Sequence, residues 1–178
     1  MRAMPITVAA LAAALLLTAC DSGTDSNDKA AGGDAKAAKS TACRLDGVGA
    51  EVGPVSAAPA AGDTGTVTVT LTNTGSDCTL EGFPKVVLQA GDTKAVVPAD
   101  QAAQSQKLSL AKDATTSFTI TYTRAAASAG PQSLAVKTAT FALPGAEDTH
   151  EFPWSYGEVA LKGSTPDATV GGFERAGD

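Results

Sequence analysis

The chain has little of what catalytic and metal sites are built from. It carries one histidine, two methionines, three cysteines and one tryptophan in 178 residues, and aromatics make up only 4%. Met1 and Met4 both precede an apolar leader and are expected to leave with it. A mature chain without methionine excludes the usual copper carrier, which needs soft Met or clustered His ligands. His150 is the sole imidazole, and no serine sits in a G-x-S-x-G elbow, so a Ser-His-Asp relay has no recognisable place. There is no C-x-x-C pair, and the Gly171-Gly172 step lacks the strand–loop–helix context of a phosphate loop. A formal charge of -6 without a Lys/Arg cluster leaves no electrostatic footprint for nucleic acid. No segment sustains a 3.6-residue period, and no internal repeat is visible.

One long apolar run is present, Ile6 to Leu17, behind a start that holds one Arg and no acid. It falls short of the ~20 residues that cross a bilayer and has the length of a signal-peptide core. It ends in Leu17-Thr18-Ala19-Cys20, a bacterial lipobox pattern. Residues 1–19 are therefore expected to be a lipoprotein signal peptide, with Cys20 lipidated by diacylglyceryl and palmitate-type acyl chains. Two chains anchor stably where one is marginal, at about 0.8 kcal/mol per buried CH₂. The alternative is an ordinary leader whose Cys merely falls at the cleavage site. Residues 21–40 contain no aromatic, Val, Ile or Leu and cannot offset their ordering entropy, so 20–40 reads as anchor plus flexible linker with a root-mean-square span of about 25 Å.

The domain proper, expected over 41–163, is organised around Thr66 to Pro84. Val67, Val69 and Leu71 alternate with threonines, a turn follows at Asn73-Thr74-Gly75, and Cys78 and Gly82-Phe83-Pro84 come next. Threonine-rich alternation and few aromatics suit a small sandwich. Further strands are expected at 42–52, 85–90, 94–97, 106–110, 116–123, 133–143 and 158–161. Residues 85–97 read as a hairpin. Gln106–Leu110 and Thr116–Thr123 read as a pair joined by a turn at Ala111-Lys112-Asp113. The apolar parity shift along Ser133–Leu143 predicts a bulge near 137–140, and 164–178 reads as a flexible tail. Cys43 and Cys78 remain once Cys20 is lipidated, and in an oxidising compartment they are expected to form a disulfide worth roughly 4 kcal/mol. A reactive or metal-binding thiol pair is the alternative. The fold class these signals predict is all-β, an antiparallel β-sandwich.

The lipobox, polar linker, early Cys43, Thr66 to Leu71 with Asn73 and Gly75, Cys78-Thr79-Leu80, Gly82-Phe83-Pro84, Leu134 to Val136 and Leu143 to Gly145 follow one another in a distinctive order. In this order the chain resembles a family of secreted actinobacterial lipoproteins carrying domain of unknown function 4232. The resemblance covers most of 42–161 and implies an immunoglobulin-like sandwich at the cell envelope, with no activity to carry over. Family members often have a second cysteine pair in the C-terminal half, which this chain lacks, so packing around Trp154 must hold 133–161 together.

Two segments are candidate sites. Glu147-Asp148-Thr149-His150-Glu151 could hold a cation through its carboxylates, against the plainer reading of a solvated loop, and no metal or other cofactor is expected. Phe152-Pro153-Trp154-Ser155-Tyr156 groups three aromatics, and Pro153 places the segment at an edge or in a loop. Phe152, Trp154 and Tyr156 are either a binding surface for a glycan or an envelope protein, or filling for the core. The chain is thus expected to be a non-catalytic binding module, lipid-anchored through Cys20 at the extracytoplasmic face of the cell membrane. The alternatives are an envelope enzyme or accessory domain with a carboxylate site, and a structural spacer.

Overall fold

A computed structural model describes residues 41–126 and 129–175. The leader 1–19, Cys20 and the linker to residue 40 lie outside the described residues. Past a 3-10 turn at Leu45–Gly47 come β1 (Val48–Ser56), β2 (Thr64–Asn73), β3 (Cys78–Glu81), β4 (Lys85–Ala90) and β5 (Thr93–Val97). These are followed by β6 (Lys107–Leu110), β7 (Thr115–Thr123), β8 (Ser133–Leu134), β9 (Thr138–Ala142) and β10 (Thr149–Pro153). The last strands are β11 (Val159–Lys162), β12 (Thr165–Pro166), β13 (Ala168–Val170) and β14 (Glu174–Arg175).

The strands build an antiparallel β-sandwich. The two larger sheets run β1-β2-β7-β13, with β14 also on β7, and β10-β9-β4-β5; two smaller ones are β12-β11-β8 and β3-β6. In β2 and β7 a strict two-residue alternation sends Val67, Val69, Leu71, Phe118, Ile120 and Tyr122 inward. Val86, Leu88, Ala139 and Phe141 face them from the second sheet. The Phe118 and Phe141 rings meet edge-on across the core at 5.2 Å. In β1 the register slips between Val52 and Val55, at the cis Gly53-Pro54 bond. Proline has no N–H to give a ladder, so the strand bulges there and continues to Ser56, past the expected end at Val52.

The Cys43–Cys78 disulfide is formed. It clamps the start of the domain to β3, where the Cys43 N–H donates to the Thr79 carbonyl at 3.0 Å and the Thr79 N–H to the Thr41 carbonyl at 2.7 Å. Asn73, 1% exposed, locks the turn that follows β2. Its amide donates to the Ser76 and Leu110 carbonyls, both at 3.0 Å, and its oxygen accepts the Gly75 N–H at 3.0 Å.

Three expectations are overturned by how the strands pair. Gln106–Leu110 and Thr116–Thr123 do not pair with each other: β6 pairs with β3, and β7 pairs with β2. The segment between them turns, with Asp113 at a positive φ of 64°, but it carries the chain to a different sheet. Residues 133–143 are not one bulged strand. β8 pairs with β11, the chain then crosses over, and β9 pairs with β4 and β10. The parity shift marks that crossing, because a strand entering a new sheet resets which side faces the core.

Nor is the C-terminal stretch a tail. Residues 165–175 form β12, β13 and β14, with Val170 and Phe173 in the core. β13 pairs with β7 on one side. On its other side the Asp100 N–H donates to the Val170 carbonyl at 2.9 Å, and the Val170 N–H to the Pro98 carbonyl at 3.0 Å. The C-terminal stretch therefore bridges the edge of one sheet to the chain leaving β5, the edge strand of the other.

Candidate functional site

The aromatic segment lies inside the molecule. β10 sends Thr149, Glu151 and Pro153 outward and Phe152 inward, and Trp154 follows the same alternation. Phe152 is 4% exposed and Trp154 5%. The Trp154 ring meets Tyr122 at 5.1 Å and Tyr156 at 4.9 Å, both edge-on. No buried polar side-chain atom of the group is left without a partner. Trp154 Nε1 donates to the Gly157 carbonyl at 2.8 Å, and the Tyr122 hydroxyl donates to the Tyr156 carbonyl at 2.8 Å while accepting the Ala58 N–H at 3.2 Å. Arg124 closes this end by donating to the Ala58 carbonyl at 2.8 Å. Gly65 admits the Tyr122 ring, since a Cβ there would lie 2.6 Å from it. Phe152 and Trp154 are thus core residues rather than a binding surface, because burying an indole returns far more than solvating it. Tyr156 alone of the three is partly exposed. Burial, and then the neighbouring Tyr122, raise its pKa above 10.0.

The cation reading of the 147–151 loop fails on the same alternation. His150 shares the inward side with Phe152 and packs its ring 5.2 Å from Phe141, whereas Glu151 points the other way. Among the described residues no three His, Cys, Asp or Glu side chains are placed to hold a metal ion. Cys43 and Cys78 are spent on the disulfide, and Cys20 lies outside the described residues.

What remains is the outer face of β10-β9-β4-β5, which forms a shallow depression of about 510 Å³. The register aligns its side chains in rows across the strands. Glu151, Thr140, Val87 and Val96 form the middle row; Thr149, Ala142 and Lys85 lie above it, and Thr138, Gln89 and Lys94 below. Val96 is 56% exposed, the most exposed large apolar side chain described. Glu147, in the loop entering β10, completes the acidic side. None of Lys85, Lys94, Glu147 and Glu151 joins an ion pair among the described residues.

The outer face of the other sheet is chemically different. Thr66, Thr68, Thr70 and Thr72 stand opposite Thr121, Thr119, Ser117 and Thr115, and the Thr68 and Thr119 hydroxyls meet at 3.3 Å. That face is satisfied by its own pairs and by water. The β10-β9-β4-β5 face is not, because it exposes valine and leaves four charges without ion-pair partners. Motif and composition do not single this face out, although the sequence holds a signal for it. Val86-Val87 and Val96-Val97 are apolar doublets, and in a strand a doublet must put one member on each side.

A family model described as "Domain of unknown function (DUF4232)" matches residues 43–174. No curated protein matches the chain.

Proposed function

The chain belongs to that family of unknown function, and from this premise we propose that it is a lipoprotein of the secreted actinobacterial type. It is anchored through Cys20 at the extracytoplasmic face of the cell membrane and works as a non-catalytic binding module. The observation that carries the reading is the outer face of β10-β9-β4-β5. There the half-buried Val87 and the exposed Val96 lie on β4 and β5 beside Lys85 and Lys94, with Glu147 and Glu151 at the β10 side. Exposed apolar surface flanked by charges of both signs suits a protein-binding patch. The face is broad and lined by charges of both signs, which favours a protein surface as partner over the glycan the sequence also allows.

Two measurements test this. Changing Cys20→Ala should move the protein from the membrane fraction to the soluble one; retention in the membrane would end the anchoring claim. A photo-crosslinking residue placed at Val96 should capture a protein in cells, while the same residue at Thr119, on the threonine face, should not. Equal capture from both positions, or none from Val96, would remove the binding role.

A further inference from the structure

The same face is self-complementary, and we infer that its partner is a second copy of this chain. The inference rests on the binding-module reading and names its partner. Across the sheet the order is β10, β9, β4, β5. The acids Glu147 and Glu151 lie at the β10 side, and Lys85 and Lys94 lie on β4 and β5. Two such faces can pack about a two-fold axis lying between them and running along the strands. That rotation carries β10 of one copy over β5 of the other, and β9 over β4. Glu151 then faces the β5 side of its partner, where Lys94 lies two residues along from the position opposite. A lysine's four-carbon stem covers the ~7 Å offset. Lys85 falls over the end of the partner's β9, beside the loop that carries Glu147. Val87 comes within about one strand spacing (~4.8 Å) of its own counterpart at the centre, while Val96 falls over the β10 edge of the partner.

The other two-fold axis, across the strands, would set β10 over β10 and carboxylate against carboxylate. Of these two arrangements, only the axis along the strands brings opposite charges together. The area limits the strength. Four strands at ~4.8 Å spacing and five residues at ~3.3 Å cover roughly 300 Å² per copy, against about 800 Å² in an interface that is stable at low concentration. Such a dimer forms where copies are concentrated, as on a shared membrane surface, and separates on dilution.

The test uses the chain from residue 20 onward with Cys20→Ser, so that no lipid drives association. Sedimentation velocity up to millimolar concentration should show a mass average rising toward dimer. Lys94→Glu alone and Glu151→Lys alone should each weaken association at least tenfold, with melting unchanged because both side chains are exposed. Mixing the two variants places an acidic face against a basic one and should restore association, as a heterodimer. A monomer at every concentration, or single variants that associate as the parent does, overturns the inference. If the chain is monomeric but the crosslinker at Val96 captures a different protein, self-pairing falls and the binding module stands. If it is monomeric and nothing is captured, both fall.

Discussion

The aromatic segment at 152–156 and the hairpin at 85–97 exchange the places their compositions announce. The aromatic segment holds the only tryptophan and has the makings of a surface platform, yet Trp154 is packed between Tyr122 and Tyr156 with its indole N–H satisfied. The hairpin has the composition of an ordinary buried element, yet one valine of each doublet is on the outside and Val96 is more than half exposed. In a sheet, residue type says that a side chain can be buried; register decides whether it is. One segment therefore supplies stability and the other leaves apolar surface available for a partner.

The largest way to break this contrast is Trp154→Ala. Removing a buried indole should cost about 3–5 kcal/mol, read as a large drop in melting temperature. A small drop would put Trp154 back on the surface. Gly65→Ala comes next. Its Cβ would meet the Tyr122 ring at 2.6 Å and the Ala58 backbone nitrogen at 2.7 Å, neither of which yields easily, so about 1–3 kcal/mol should be lost to overpacking. Tyr122→Phe keeps the ring but strips the Ala58 N–H of its acceptor, at a cost of about 1–2 kcal/mol in chemical denaturation. Val96→Thr should change stability by less than about 0.5 kcal/mol while weakening association at this face, which separates the two regions in one variant. The smallest effect is the pH response of Tyr156. Its folded pKa is raised, so its stabilising contribution is complete below the ordinary value of 10.0 and is lost as pH rises through the raised one. Melting followed through that range should fall less steeply in Tyr156→Phe than in the parent.

The sheet-forming half of this molecule is legible in the sequence because β2 and β7 keep strict alternation and because two cysteines within the domain leave one pairing. Asn73 is legible as a turn residue, though not as the buried amide that ties β2 to the end of β6, since that contact spans 37 residues. What the sequence conceals are non-local choices. β6 takes β3 rather than β7, β8 and β9 join different sheets, and the C-terminal residues complete a sheet although their Gly-rich sequence resembles a loose end. Each is decided by which edge is free when the strands meet, and no local pattern records that. The outer face of β10-β9-β4-β5 is hidden for a related reason. Its residues come from four separate strands and become one surface only after pairing.

The position of β13 has a consequence for the order of events in the life of the chain. It bonds β7 on one side and the Pro98–Asp100 segment on the other, so the two sheet edges are joined only once residues 168–170 have been made. An N-terminal portion that stops short of β13 lacks its closing strand and still exposes the surface that Ala168, Val170 and Phe173 cover. Closure of the sandwich is thereby deferred until residues 168–173 are available. β13 is thus a latch that shuts only after the earlier strands have paired.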